Sequence, residues 1–331
     1  MSNSVPSLRL AACLLNISEA RNRAIVESVA NAALNFQSRS KSSLLKCSST
    51  VLNIFSDFDY NRSVITIAAP VENIEESVFR ACEVAYREID LESHSGGHPR
   101  LGSVDLVPIH TITTSVPLAE CGEIALNLGK RLVSSIKGTS LFFFGHADRP
   151  LLRGLVERRK AVNWYNGKHG IDFSGVGWDL GTPPSPRYGC TGIGAIPYVT
   201  NCNVTIDCQD LDLGREIAKA IRASTPGGLV GVQSMAFEHE GRVEIACYVE
   251  ASKVCFTGIC FRALSSGTQC SCWVLGVGNH GVGAEGGGIT NESTLDKNSF
   301  VPLMHHDPND LRSQIRFWIL PKKKNVISLA P

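Results

Sequence analysis

Apolar residues along this chain switch between two spacings, and the switches mark its elements. Leu8–Leu15 is an apolar run interrupted only by Arg9, which predicts a strand. Ala20–Phe36 takes helical spacing, with Ile25, Val29, Ala32 and Ala33 on one face. Gln37–Thr50, rich in Ser and Lys, predicts a loop. Val51–Phe55 and Ser63–Ala69 predict two strands joined through Asp57-Phe58-Asp59-Tyr60-Asn61-Arg62. Val71–Asp90 is the clearest helix. Ile74, Val78, Ala81, Cys82, Ala85 and Ile89 form its stripe, and Glu72, Glu75 and Glu76 suit its N-terminal dipole. Val104–Thr111 predicts a strand. Pro117 opens a helix through Val133 with Cys121, Ile124, Ala125, Leu128 and Leu132 inward, and Thr139–Phe144 is a buried strand.

This β-α-β-β-α-β order is the ferredoxin-like arrangement, with helices on one face of a mixed sheet. Arg149–Gly170 reads as a polar helical connection. Gly175–Gly194 is dense in Gly and Pro, which predicts neither a helix nor a central strand. It is either a linker or a loop lining a ligand. Asn201–Ile206, Leu213–Ala223, Val230–Glu238 and Val243–Val249 then repeat β-α-β-β. Ser252–Phe300 and His305–Pro331 show no sustained period. The expected fold class is α/β (α+β), with two ferredoxin-like lobes of mixed sheet, the second incomplete at its C-terminal end. The expected domains are residues 1–174, residues 175–250, and an atypical, poorly ordered tail over 251–331.

Composition narrows the function classes. With 331 residues the chain can bury a sizeable core, and its net charge of +1 argues against nucleic acid or a membrane surface as main partner. No run approaches the ~20 apolar residues that span a bilayer. The twelve Cys follow no framework spacing, and Cys270-Ser271-Cys272 is a close pair without the second pair a zinc site needs. Reduced thiols and a cytoplasmic protein are expected.

The chemistry concentrates in Ser95-Gly96-Gly97-His98-Pro99-Arg100-Leu101-Gly102-Ser103-Val104-Asp105. One imidazole stands between a flexible Gly pair and a stiff Pro, at the mouth of a strand. A His in such a loop can take and return a proton near neutral pH. A lone His is more often structural, but a loop built for exposure reverses the odds. His94 and His98 are four apart, yet Gly96 and Gly97 argue against the helix a zinc pair would need, and no metal is expected. Gly276-Val277-Gly278-Asn279-His280-Gly281 has the dinucleotide spacing but is followed by more Gly, not a helix, so it counts as chance.

Together these strings resemble the formiminotransferase family. Asn16-Ile17-Ser18-Glu19-Ala20-Arg21 matches its opening motif, with Ala20 where Gly is usual. Asp57-Phe58-Asp59 with Asn61-Arg62 matches an Asp-x-Asp before an Asn-Arg pair. His98-Pro99-Arg100-Leu101-Gly102-Ser103-Val104-Asp105 matches the catalytic segment without a gap, while Gly97 stands where many members carry Glu. The resemblance runs from about Leu8 to Glu250. It places a folate-binding loop on Gly181, Thr182, Pro183, Pro184, Ser185, Pro186, Arg187, Tyr188 and Gly189, and a binding strand on Asn201 and Asn203.

The resemblance implies transfer of a formimino group from N-formimino-glutamate to tetrahydrofolate, in one-carbon metabolism and histidine catabolism. The folate lies between two lobes, and family members tend to dimerise through the first lobe. The expected partners are therefore folate, a glutamate derivative and a second copy of the chain. His98 would be the base that moves the proton. Asp59 and Asp57 either orient the imidazole or hold a pterin nitrogen, or they only stabilise the turn before Asn61. Arg62 and Arg100 either clamp substrate carboxylates or pair with Asp105 or Asp59 as scaffold. The rival expectation is a folate-binding relative without transferase activity, disabled by its unfinished second sheet.

Overall fold

The central strand β1 (Leu10–Ile17) reads LAACLLNI and is buried on the face that meets the helices. Such a strand needs cover, and the sequence supplies α1 (Arg23–Ala32) and α2 (Val71–Glu88) to provide it. Asn22 starts α1 by accepting the amide of Ile25 on its side chain, so the helix begins later than the apolar spacing alone predicts. Val71, Ile74, Val78, Ala81, Cys82 and Ala85 of α2 are buried. The computed structural model describes residues 9–35, 49–162, 164, 176–206 and 208–250, with the backbone of 259–263, 271–272, 301–302 and 315–319. The chain divides into two compact units, Met1–Pro197 and Tyr198–Pro331.

In the first unit, β2 (Thr50–Asp57), β3 (Arg62–Pro70), β1 and β4 (Val104–Thr111) lie in the order β2-β3-β1-β4, all antiparallel. This is the expected ferredoxin-like order. The sheet then extends to seven strands. The helix α3 (Leu118–Ser135) leads to β5 (Ser140–Gly145), β6 (Leu180–Gly181) pairs antiparallel with β5, and β7 (Thr191–Ala195) inserts between β4 and β5, parallel to both. Among its described residues, the polar connection carries the short helix α4 (Leu155–Ala161).

The strand β7 corrects the expectation that Gly175–Gly194 holds no central strand. The segment TGIGA is fully buried in the middle of the first sheet. Its glycines suit it for that place because bulk comes from next door. A Cβ on Gly192 would stand 2.5 Å from the Phe142 ring, and one on Gly194 would stand 2.4 Å from the Phe144 ring. Phe143 points to the helix side, where a Cβ on Gly129 of α3 would come within 2.8 Å of it. Three successive rings of β5 therefore each fill the space a glycine leaves, which keeps the interior at close-packed density.

The second unit carries β8 (Val199–Ile206), α5 (Leu211–Ile221), β9 (Val232–His239) and β10 (Arg242–Glu250). Asp210 caps α5 by accepting the amides of Asp212 and Leu213. A two-residue turn, Glu240-Gly241 with φ of 49° and 71°, joins β9 to β10. After β11 (Ile259–Ala263), the two-residue strand β12 (Ser271–Cys272) pairs with β8, giving the order β12-β8-β10-β9. The two residues of β12 thus take the edge where a ferredoxin-like lobe places its fourth strand. The strands β13 (Val301–Pro302) and β14 (Ile315–Ile319) pair with each other, and β14 also pairs with β11. The rest of the expected tail, including Gly276–Gly281, lies outside the described residues. Cys13, Cys82, Cys121, Cys190 and Cys208 are free thiols. Among the described residues no helix is long and apolar enough to cross a membrane.

Candidate active site

The loop between α2 and β4 is held at nearly every bend. Asn61, in a left-handed turn at φ 49°, accepts the amides of Ala20 and Arg21 on its side-chain oxygen and donates from Nδ2 to the Ser95 carbonyl. His94 donates from Nε2 to the Asn61 carbonyl at 2.8 Å. The Gly97 amide donates to the Asp59 carbonyl, and a Cβ on Gly96 would meet the Tyr60 carbonyl oxygen at 2.2 Å, so the loop seats only because Gly stands there. Arg100, 6% exposed, donates to the carbonyls of His94, Gly96 and His98. Arg100 thus holds the loop through its backbone carbonyls, where the sequence suggests either a substrate carboxylate or a pairing with Asp105 or Asp59.

His98 sits half-buried on this rigid loop. Its Nδ1 donates to the Pro99 carbonyl at 2.7 Å, which places the lone pair on Nε2. The Tyr60 and Trp164 rings meet it edge-on, with centroids at 4.9 and 5.5 Å. Burial, and then the charge of Arg62, push its pKa down to about 3, so the resting imidazole is neutral.

A buried polar cluster lies behind the ring. Asp105, 1% exposed, accepts from Arg62 Nη1 at 2.5 Å, from the Leu101 amide at 2.8 Å and from Trp164 Nε1 at 3.4 Å. Arg62 also donates to Asn16 Oδ1 at 2.8 Å. Burial alone would raise the pKa of Asp105, but Arg62 and the Leu101 amide outweigh it and hold the carboxyl below its usual range. Arg62 is therefore engaged as scaffold on Asp105. The same cluster joins β1, β3, β4 and Trp164 behind His98.

The other expected residues divide. Asp57 accepts the Tyr60 amide and stabilises the turn before Asn61. Asp59 is exposed, and its Oδ2 lies 3.7 Å from the Cβ position of Gly97, against the His98 loop. Gly181 stands opposite Ser140 in the β5–β6 pair, and Thr182 donates its amide and hydroxyl to the Thr139 carbonyl. Ser185 accepts the amides of Tyr188 and Gly189, Arg187 donates to the Arg87 carbonyl, and the Tyr188 carbonyl accepts the Ser103 amide. Gly189, at φ 68°, packs where a Cβ would stand 1.8 Å from the Leu101 carbonyl oxygen. The loop through Pro183, Pro184 and Pro186 is thereby pinned to the base of the His98 loop. Asn201 and Asn203 belong to the second unit, where Asn203 donates to Glu244 Oε1 at 3.0 Å. Sequence reasoning missed Trp164 and Arg159. The signal available was an aromatic following an Arg pair in a stretch whose composition predicts a polar helical connection. No group of three metal-ligating side chains occurs among the described residues.

Burial also pushes His94 and His110 down to about 4. His110 donates from Nδ1 to the carbonyls of Ile196 and Pro197. The unfolded chain protonates its histidines near pH 6.5, roughly, while the fold keeps these neutral. Their contribution to stability is complete above that value and declines as pH falls toward the folded values. The urea midpoint is expected to drop steadily below about pH 6.5, and less steeply in His110→Asn. A midpoint with the same slope in both proteins would contradict neutral burial of His110.

Residues 10–196 match the sequence profile of the formiminotransferase domain, N-terminal subdomain. The chain is similar to a formiminotransferase cyclodeaminase-like protein of Arabidopsis thaliana, 30% identical over 254 residues, or 72% of this chain and 81% of that one. It is similar to glutamate formimidoyltransferase of Streptococcus pyogenes serotype M1, 30% identical over 233 residues, or 66% and 70% of the two chains. Formimidoyltransferase-cyclodeaminase of Gallus gallus is 27% identical over 235 residues, covering 69% of this chain and 41% of that one.

Proposed function

The chain belongs to the formiminotransferase family, and from that premise we propose that it moves a formimino group from N-formimino-glutamate to tetrahydrofolate. The observation that carries the reading is the neutral His98 imidazole, fixed through Nδ1 with its lone pair on Nε2. In the reaction, N5 of the reduced folate attacks the formimino carbon and becomes cationic. His98 Nε2 accepts the N5 proton, then donates it to the glutamate nitrogen as the C–N bond to glutamate breaks. The products are 5-formimino-tetrahydrofolate and glutamate, and the imidazole ends as it began.

The low pKa suits both halves. A cationic N5 is acidic enough for a weak base, and the imidazolium formed from such a base is a strong acid toward a poor leaving amine. The rigid loop limits reorganisation between the two transfers. The Gly181–Gly189 loop is the folate contact that family resemblance assigns, and Asn201 and Asn203 are further binding positions on the same ground. Asp59, exposed against the His98 loop, is the carboxylate we assign to a substrate N–H.

The test is a transfer assay on the full chain with N-formimino-L-glutamate and tetrahydrofolate, beside direct measurement of tetrahydrofolate binding. Folate-dependent release of glutamate is expected. Binding without turnover would instead support the inactive relative. Neither binding nor turnover would end the reading.

A further inference from the structure

The donor and the folate tail both carry carboxylates, and a site that takes them needs a cation not already neutralised. Arg62 lies on Asp105, and Arg100 is buried against three carbonyls of the His98 loop. The exposed arginines Arg23, Arg149 and Arg215 pair with Glu27, Glu123 and Asp212. Arg21 stands differently. It is exposed, and among the described residues its guanidinium meets uncharged oxygens. Nε donates to the Phe58 carbonyl at 3.0 Å, and Nη1 donates to Ser95 Oγ at 3.1 Å. A guanidinium has five N–H donors, so these bonds leave Nη2 for a ligand oxygen.

The chain places this cation from both sides. Arg21 ends the Asn16–Arg21 motif just past β1, and its amide donates to Asn61 Oδ1 at 3.3 Å. Phe58 lies in the turn that carries Asp59 and Tyr60, and the Tyr60 ring meets His98 edge-on. Ser95 lies in the His98 loop itself. The guanidinium therefore bridges the two segments that bring Tyr60 and His98 together. Held by both, it has less side-chain freedom to lose on gripping an anion. Its charge reaches His94 and Arg100 of the same loop. We propose that Arg21 binds a glutamyl carboxylate at the mouth of the His98 site. The proposal rests on the transferase reading and names the charge that holds its substrate. The carboxylate is shared chemistry, belonging either to the amino-acid donor or to the folate tail.

Arg21→Gln and Arg21→Lys test it in the full chain. For Gln, KM for one of the two substrates is expected to rise roughly 5- to 30-fold, the worth of a charge-assisted hydrogen bond at a partly wet site, with kcat changing much less. Lys keeps the charge and restores part of the affinity. A rise for tetrahydrofolate that vanishes with tetrahydropteroate, which lacks the glutamate, assigns the tail. A rise for N-formimino-glutamate that vanishes with one of its two monoamides assigns the donor. A rise that persists whichever carboxylate is removed means that Arg21 only braces the two segments, and it overturns the proposal, as does unchanged KM for both substrates or a fall in kcat alone. If the unaltered chain transfers nothing, the transferase reading fails, and calorimetric titration with N-formyl-L-glutamate and with tetrahydrofolate still decides. Binding of either probe that weakens in Arg21→Gln but not in an exposed control, Arg23→Gln, upholds carboxylate recognition. Binding of neither, or equal binding in all variants, rejects it.

Discussion

His98→Ala is expected to lower kcat by roughly 10²- to 10⁴-fold, the usual worth of a positioned general acid–base. The fold should survive. The ring is half-buried, and its Nδ1 hydrogen bond goes to the adjacent Pro99 carbonyl in the same loop. The loop's own clamps, Asn61 and Arg100, are untouched. Tetrahydrofolate affinity should change little, because the imidazole moves a proton and does not hold the pterin. Turnover is followed beside near-ultraviolet circular dichroism, since loss of the ring between Tyr60 and Trp164 should alter the aromatic signal without unfolding. Turnover equal to that of the unaltered chain would remove His98 from the mechanism.

Asp105→Ala is expected to give the largest loss of stability. It strands the Arg62 guanidinium in the interior and removes the acceptor for the Leu101 amide and Trp164 Nε1. Breaking one side of a buried pair costs about 3–5 kcal/mol, a large part of the roughly 5–15 kcal/mol that holds a domain together. Asp105→Asn should cost less, and a double replacement of Arg62 by Met with Asp105 by Leu should be milder than Asp105→Ala, because no charge is left stranded. The pH dependence has the opposite origin to that of the histidines. The carboxyl is held low in the fold, so its stabilisation is present above about pH 4, the ordinary Asp value, and is lost as pH falls through the lower folded value. Urea unfolding measures both. A stability for Asp105→Ala within about 0.5 kcal/mol of the unaltered chain would show that the cluster is not where the fold is held.

The two hydrophobic spacings made the first lobe legible. The α2 stripe and the apolar runs on either side of it mark the element order β-α-β-β-α-β, because each element must turn its apolar side to one shared core. The His98 loop was legible for a local reason, since Gly-Gly-His-Pro constrains the backbone by itself. What escaped depends on residues far apart in sequence. TGIGA reads as a loop until Phe142 and Phe144 are set beside it. Arg62 and Arg100 look alike as cations, and only the carbonyls and carboxylate around them tell that both serve the framework. Trp164 joins the site through the folding back of a segment whose composition resembles surface.

The ring-and-glycine pairs of β5 bear on how this protein can change over time. Enlarging Gly192 collides with Phe142, and shrinking Phe142 alone hollows the sheet. The same holds for Phe144 with Gly194 and for Phe143 with Gly129. Neither member of a pair has a harmless solitary step, so lineages descending from this chain should inherit both or exchange both together.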